Sequence, residues 1–246
     1  MILTVDIGNT RIKWAQWHAG TIVNRSAAVY EVDKCVSAFD VLFSTVEKPS
    51  RVLVVCVAGE EMRVCLSAYV KRRWKLDVEN LKTERKYKNI LHAYEDPRHH
   101  GVDRWAALLG ARKLYATPVC VLDVGTAVTV DLMDAGGVHR GGRIMPGLNM
   151  MRNSLLQNTV GVKEIEGDCP GFAISTADAV TSGTLHMLQA GLLEVCESAE
   201  KRLGKDMQVI LTGGMAEKML PLLDQVEGIH LEPHLVLYGL YYASQQ

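Results

Sequence analysis

Short apolar runs alternate along this chain with longer stretches in which apolar residues return at helical spacing. Leu3 to Val5 form the first run, Asp6-Ile7-Gly8-Asn9-Thr10 reads as a tight turn, and the apolar pattern resumes through Ile12 and Trp14. This predicts two strands joined by a turn. Residues 51–58 are apolar almost throughout, as in a strand buried on both faces, and residues 60–74 predict an amphipathic helix. A helix is expected over 103–116, with Pro118 opening the next strand, and 136–144 continue a strand series. Ser175-Thr-Ala-Asp178 is a capping box that opens a long helix to about Arg202. Val209 to Gly214 form a strand that ends in a glycine pair, and Leu235 to Tyr242 predict a closing helix, with Tyr238, Tyr241 and Tyr242 packing it against the second half. Strands mixed with helices in both halves argue for an α/β protein.

One segment of this pattern occurs twice. Val121-Leu122-Asp123-Val124-Gly125-Thr126-Ala127-Val128-Thr129-Val130-Asp131 repeats the strand, Asp-x-Gly turn and strand of residues 3–14, and Asp123 follows Asp6 by 117 residues, close to half the chain. Two copies at that spacing suggest a duplicated domain, divided as 1–116 and 117–246.

Composition removes several classes of function. A chain of 246 residues with 48% hydrophobic and 22% charged residues is long enough for a real core and is neither disordered, collagen-like nor a coiled coil. Lys and Arg number 27 against 28 Asp and Glu, so no chain-wide field recruits nucleic acid or anionic lipid, and any anion must be held by local geometry. Residues 71–88 are locally basic, with Trp74 and Tyr87 interleaved; this reads as solvated surface that helps attract an anionic substrate rather than as a nucleic-acid patch. Neither a basic leader nor an apolar run long enough to span a bilayer is seen, so a cytoplasmic protein without a membrane partner is expected. The six cysteines lack any C-x-x-C spacing, and most read as small buried hydrophobes. The methionines, Met145, Met150 and Met151 among them, read as core filler, and His92, His99 and His100 as loop surface near a substrate mouth.

The candidate chemistry lies in the two turns. Gly142 and Gly147 have P-loop spacing, but Leu148-Asn149 follow where that motif needs Lys and Ser or Thr, and no G-x-G-x-x-G follows a strand. A glycine without a Cβ lets backbone N–H groups approach a phosphate oxygen, and Asn9, Thr10 and Thr126 add neutral donors. A carboxylate beside a phosphate is repulsive unless a cation lies between them, so Asp6 and Asp123 imply a bound metal as well as an anion. A single Asp-x-Gly could equally be a plain hairpin turn; the duplication favours a nucleotide site. Asp103 heads a helix, where an Asp is more often a cap or first-turn residue than a base, but Arg104 beside it suits the grip of a carboxylate.

The two turns, with Leu211-Thr212-Gly213-Gly214 as an adenosine-side turn, resemble the superfamily of acetate and sugar kinases, heat-shock chaperone ATPases and actin. Three further segments resemble the signature set of the type III pantothenate kinases: Tyr94-Glu-Asp-Pro97 with Gly101-Val-Asp103-Arg104-Trp105, Asp123-x-Gly-Thr-Ala-x-Thr-x-Asp131, and Gly141-Gly-Arg-Ile-Met-Pro-Gly147. The resemblance implies duplicated actin-like, ribonuclease H-like α/β domains with a nucleotide cleft between them. It implies phosphorylation of pantothenate by Mg-ATP on the way to coenzyme A, in a homodimer whose pantothenate pocket is built partly from the partner subunit. Carried over by position, Asp6, Ile7, Gly8, Asn9, Thr10, Arg11, Ile12, Lys13 and Thr126 would contact ATP, and Asp123 would hold a monovalent cation, potassium or ammonium. Tyr94, Gly101, Val102, Asp103, Arg104 and Thr176 would contact pantothenate, with Asp103 as catalytic base and Thr181 as the competitor of Thr176. Another phosphotransferase or phosphatase of the superfamily, or a non-catalytic regulatory relative, is the alternative.

Overall fold

A computed structural model describes residues 1–31 and 35–245. The chain divides into two compact units, one of residues 1–116 together with the segment from His234 onward, the other Thr117–Pro233.

In the first unit, β1 (Ile2–Ile7), β2 (Arg11–His18), β3 (Thr21–Val29), β4 (Arg51–Cys56) and β5 (Val78–Asn80) form one sheet in the order β3-β2-β1-β4-β5. The hairpin partners run antiparallel, while β1 and β4 pair in parallel with Ile7 opposite Cys56. Alternate residues of β1 divide between the two faces, as the two-residue period of a strand requires. Leu3, Val5 and Ile7 join the core under α1 (Cys35–Leu42) and α2 (Glu60–Trp74), where Phe39, Phe43 and Tyr69 form an aromatic cluster. Toward the opposite face, Thr4 is fully buried and accepts the indole N–H of Trp17 at 2.8 Å, so its hydroxyl is satisfied.

The helices α3 (Val102–Leu114) and α7 (Leu235–Ala243) pack together in this unit. Their backbones approach so closely that a Cβ on Gly239 would collide with the carbonyl of Ala106, and one on Gly110 with the carbonyl of Leu235. Trp17 stacks on Tyr241 at 4.4 Å and meets Tyr238 edge-on at 5.3 Å. The closing helix therefore packs against the first unit, not the second half of the sequence, because its aromatic face fits the tryptophan of β2.

The second unit repeats the topology. Strands β8 (Val119–Val124), β9 (Ala127–Met133), β10 (His139–Pro146), β11 (Gln208–Thr212) and β12 (Ile229–Leu231) order as β10-β9-β8-β11-β12, with β8 antiparallel to β9 and parallel to β11. Its core joins Leu122, Val124 and Leu211 to Leu188, Leu192 and Val195 of the long helix α5 (Thr176–Leu203), beside α4 (Leu148–Asn158). As the capping box predicts, Ser175 accepts the N–H of Asp178 at 3.2 Å.

Several local expectations change. Cys120 and Cys196 are buried as read, but Cys169 is exposed and Cys35 and Cys65 are joined in a disulfide that clasps α1 to α2. Met151 is buried in the core while Met150 is exposed. In the basic stretch, Trp74 and Tyr87 are both buried, and Lys71 and Arg72 pair with Asp77 and Asp40. The aromatic rings there serve the core and are not offered to solvent with the charges.

Candidate active site

The first Asp-x-Gly turn joins β1 to β2, with Asp6 directly across from Lys13 and Ile7 across from Ile12. Ile7 and Ile12 are fully buried, so their side chains belong to the core and only their backbone faces the turn. The N–H of Gly8 closes the turn on the carbonyl of Arg11 at 3.0 Å, which leaves the exposed Asn9, Thr10 and Arg11 as its outward-facing groups. Two neighbours hold it from outside. The Tyr30 hydroxyl donates to the Gly8 carbonyl at 2.8 Å, and the Val57 N–H, just past β4, donates to the Ile7 carbonyl at 3.0 Å. Burial raises the pKa of Tyr30, with Cys56 adding to the effect, so its phenol keeps the proton that this bond needs. Tyr30 lay outside the sequence expectations; its link to the turn spans 22 residues and carries no local signal.

The second turn joins β8 to β9 in the same way, with the Gly125 N–H bonded to the Ala127 carbonyl at 3.0 Å, in a loop one residue shorter. Asp123 is half-buried at the carboxyl end of the central strand, and Thr126 is exposed. Two glycines press on this turn. The Gly147 N–H donates to the Thr126 carbonyl at 3.2 Å, so the Gly141 to Gly147 segment ends against it. Gly213 has φ of 100°, and a Cβ there would lie 2.5 Å from both Asp123 Oδ1 and the Val124 carbonyl oxygen. The first glycine after β11 thus lets two hard oxygen atoms crowd against its backbone.

The third group of residues leads into α3. Gly101 caps the helix and Asp103 lies in its first turn, where the helix dipole favours a carboxylate. Asp103 Oδ1 accepts the N–H of Arg104 at 2.8 Å, and a Cβ on Gly101 would lie 2.6 Å from that same oxygen. Spacing in Gly-x-Asp-Arg is therefore steric: the glycine makes room for the carboxylate. Arg104 is 6% exposed, and its guanidinium meets the Tyr94 hydroxyl at 3.4 Å. Val102 is half-buried beside them. His92 and His100 are each 2% exposed, so two of the three histidines read as loop surface are packed inside this segment, against the rings of Tyr94 and Trp105. In the second unit, Thr176 is exposed at the start of α5, whereas Thr181 is buried and its hydroxyl bonds the Ile165 carbonyl at 3.4 Å.

Two sheets of the same strand order, each with an Asp-x-Gly hairpin leaving its central strand, define a duplicated α/β protein of actin-like fold. Solved structures share the fold: the activator of the 2-hydroxyisocaproyl-CoA dehydratase from Clostridium difficile with bound ADPNP (TM-score 0.55, 14% identity, 98% of this chain and 93% of that one) and the ethanolamine utilization protein EutJ from Carboxydothermus hydrogenoformans (TM-score 0.55, 13% identity, 98% and 88%). Residues 2–198 match the family described as type III pantothenate kinase. Proteins named type III pantothenate kinase from Azoarcus sp. (37% identical, covering 98% of this chain and 89% of its own length) and Nitrosococcus oceani (33%, 98% and 92%) are among its relatives. The chain belongs to the type III pantothenate kinase family.

The crowding at Gly213 generates a measurable expectation. Gly213→Ala combines left-handed strain with a collision on Asp123 and should destabilise the protein by about 2–4 kcal/mol in urea unfolding. Gly204 has φ of 94° with nothing within 4 Å of its would-be Cβ. Gly204→Ala should therefore cost only the backbone part, about 1–3 kcal/mol. Equal losses in the two variants would mean that the crowding by Asp123 and the Val124 carbonyl contributes nothing.

Proposed function

We propose that this chain transfers the γ-phosphoryl group of Mg-ATP to the primary hydroxyl of pantothenate, giving phosphopantothenate and ADP, the first step toward coenzyme A. The observation that carries the reading is the pairing of two Asp-x-Gly turns with the Gly101-Val-Asp-Arg104 helix start in a chain of this family. In the first unit the segment Asp6 to Lys13 contacts ATP phosphates through Asn9, Thr10 and Arg11 side chains, the half-buried Lys13 and the backbone of Ile7, Gly8 and Ile12; in the second unit Thr126 does so. Arg104 and Tyr94 grip the anionic end of pantothenate, with Gly101, Val102 and Thr176 as further contacts. No helix among the described residues is long and apolar enough to cross a membrane; the cytoplasmic location rests on the proposed part in coenzyme A synthesis.

Phosphoryl transfer asks little covalent chemistry of the protein: alignment of the acceptor oxygen with the γ-phosphorus and relief of its proton. Asp103 accepts that proton as the new P–O bond forms, while the bond to the β-bridging oxygen breaks and ADP leaves with the electron pair. Arg104, adjacent in sequence, fixes the far end of the acceptor so that its hydroxyl meets the Asp103 carboxylate. A monovalent cation suits the second turn: Asp123 Oδ1 and the Val124 carbonyl oxygen lie together beside Gly213, each 2.5 Å from where a Cβ would stand, and oxygen donors match a hard cation. Potassium or ammonium held there supplies positive charge beside the phosphates.

We also propose a homodimer whose pantothenate pocket is built partly from the partner. The apolar face of α3 is covered by α7 and is not offered to a partner. Support comes from the second unit, where Val160, Phe172 and Ile174 are almost fully exposed, with Leu155, Leu156 and Met187 on α4 and α5 also in solvent.

Three measurements test these readings. In an assay of ADP release with pantothenate and ATP, Asp103→Asn should lower kcat by roughly 10²- to 10⁴-fold in a folded protein, the span for a positioned general base. Near wild-type turnover would make Asp103 only a first-turn helix residue. Potassium or ammonium should activate the wild type, and Asp123→Ala should lose that activation along with most turnover; full activity in buffer free of both ions contradicts the cation reading. Sedimentation at micromolar concentration should give a dimer, and an active monomer refutes it.

A further inference from the structure

Between β7 (Ile90–Leu91) and α3 the backbone has no regular structure beyond a single turn at Pro97–His99, so side chains have to hold it in place. His92 sits where several of those contacts meet. Its Nδ1 accepts the backbone N–H of Tyr94 at 3.0 Å. Its ring lies edge-on to Tyr94 at 5.2 Å, to His100 at 4.6 Å and to Trp105 at 5.2 Å between centroids. Trp105 is fully buried and follows Arg104 on α3, so His92 spans from the helix that carries Asp103 and Arg104 to the loop that carries Tyr94. The ring of His100 also packs edge-on against Tyr94 at 5.0 Å, and the Thr83 hydroxyl donates to the His100 carbonyl at 3.2 Å. The N–H of His92 donates to the Arg85 carbonyl at 3.0 Å, and the Arg85 guanidinium donates in turn to the Tyr94 carbonyl.

A neutral imidazole accepts at one nitrogen only, so acceptance at Nδ1 leaves the ring proton on Nε2. With its N–H held and the mutually touching rings of His92 and His100 packed on one side of its phenol, Tyr94 has fewer side-chain positions open to it. The one it takes brings its hydroxyl to 3.4 Å from the Arg104 guanidinium. We propose that His92 is a positioning residue for the carboxylate-gripping pair Tyr94 and Arg104: through Nδ1 it fixes the Tyr94 backbone, and so governs how tightly the anionic alcohol is held rather than how fast phosphoryl is transferred. This rests on the reading of Tyr94 and Arg104 as pantothenate contacts.

Leucine and asparagine have nearly the same shape, and only asparagine offers an acceptor close to the place of Nδ1. His92→Leu should raise the KM for pantothenate roughly three- to tenfold, the loss of one neutral hydrogen bond, with kcat and the KM for ATP within about twofold. His92→Asn should hold the pantothenate KM within about twofold of wild type. Tyr94→Ala, measured beside them, separates the two readings. If it leaves the pantothenate KM unchanged, the assignment of Tyr94 to substrate fails and the proposal with it. If it raises KM while His92→Leu does not, or if His92→Asn is impaired as much as His92→Leu, the role of His92 alone is overturned. Should His92→Leu not fold, the wild type still decides: its Tyr94 amide should exchange with deuterium at least about tenfold more slowly than an unprotected peptide. Exchange at the unprotected rate overturns the hydrogen bond on which the proposal stands.

Discussion

In each unit the central strand pairs antiparallel with the strand that follows it and parallel with one far along the chain, and this mixed pairing dictates what gathers at its carboxyl end. The antiparallel hairpin demands a tight turn there, so the Asp-x-Gly segments sit at the ends of β1 and β8. The parallel partner must end at the same edge of the sheet, which brings Val57 to the first turn and Gly213 to the second. Parallel neighbours are buried on both faces, so the turn is held by a rigid base while its own residues reach solvent. Glycine is then needed where backbone meets side chain, as at Gly213 against Asp123.

The same economy of space organises α3. Helices that cross over glycine at Gly110 and Gly239 come close enough for backbone to touch backbone, and the aromatic stack of Trp17 on Tyr241 ties α7 to β2. That packing buries α3 from Arg104 to Ala111 and gives its first turn a firm base, with Asp103 and Arg104 at the free end. The proposed base and carboxylate grip, borne on such a helix, would be held more closely than loop residues. Tyr94, by contrast, is on a loop and depends on the rings and carbonyls around it.

Of the fold, what local pattern encodes was legible in the residues themselves. The repeated Asp-x-Gly segments announced a duplication, and the strand orders β3-β2-β1-β4-β5 and β10-β9-β8-β11-β12 match it. Helix α2 over Glu60–Trp74, the Ser175 cap and the long helix behind it follow from periodicity and capping chemistry, which act within a few residues. The strand β3 and the helix α1 were not expected: β3 alternates weakly because much of it is exposed, and α1 has only eight residues. The composition of the segments that carry Asp6, Asp103 and Asp123 could be read as chemistry because each motif is contiguous.

What tertiary structure decided were the relations between residues distant in sequence. The closing helix packs on the first unit because Tyr238 and Tyr241 fit Trp17, a match more than two hundred residues apart that no local window contains. Tyr30 on Gly8, the Cys35–Cys65 bridge and the burial of His92 against Trp105 and of His100 against Tyr94 are of the same kind. Periodicity and turn chemistry report the local backbone, so the sequence by itself determined the α/β character, the duplication and the motifs at the turns. Burial and side-chain partnership are set by how those elements pack, and a polar residue such as histidine reads as surface until a neighbouring ring covers it.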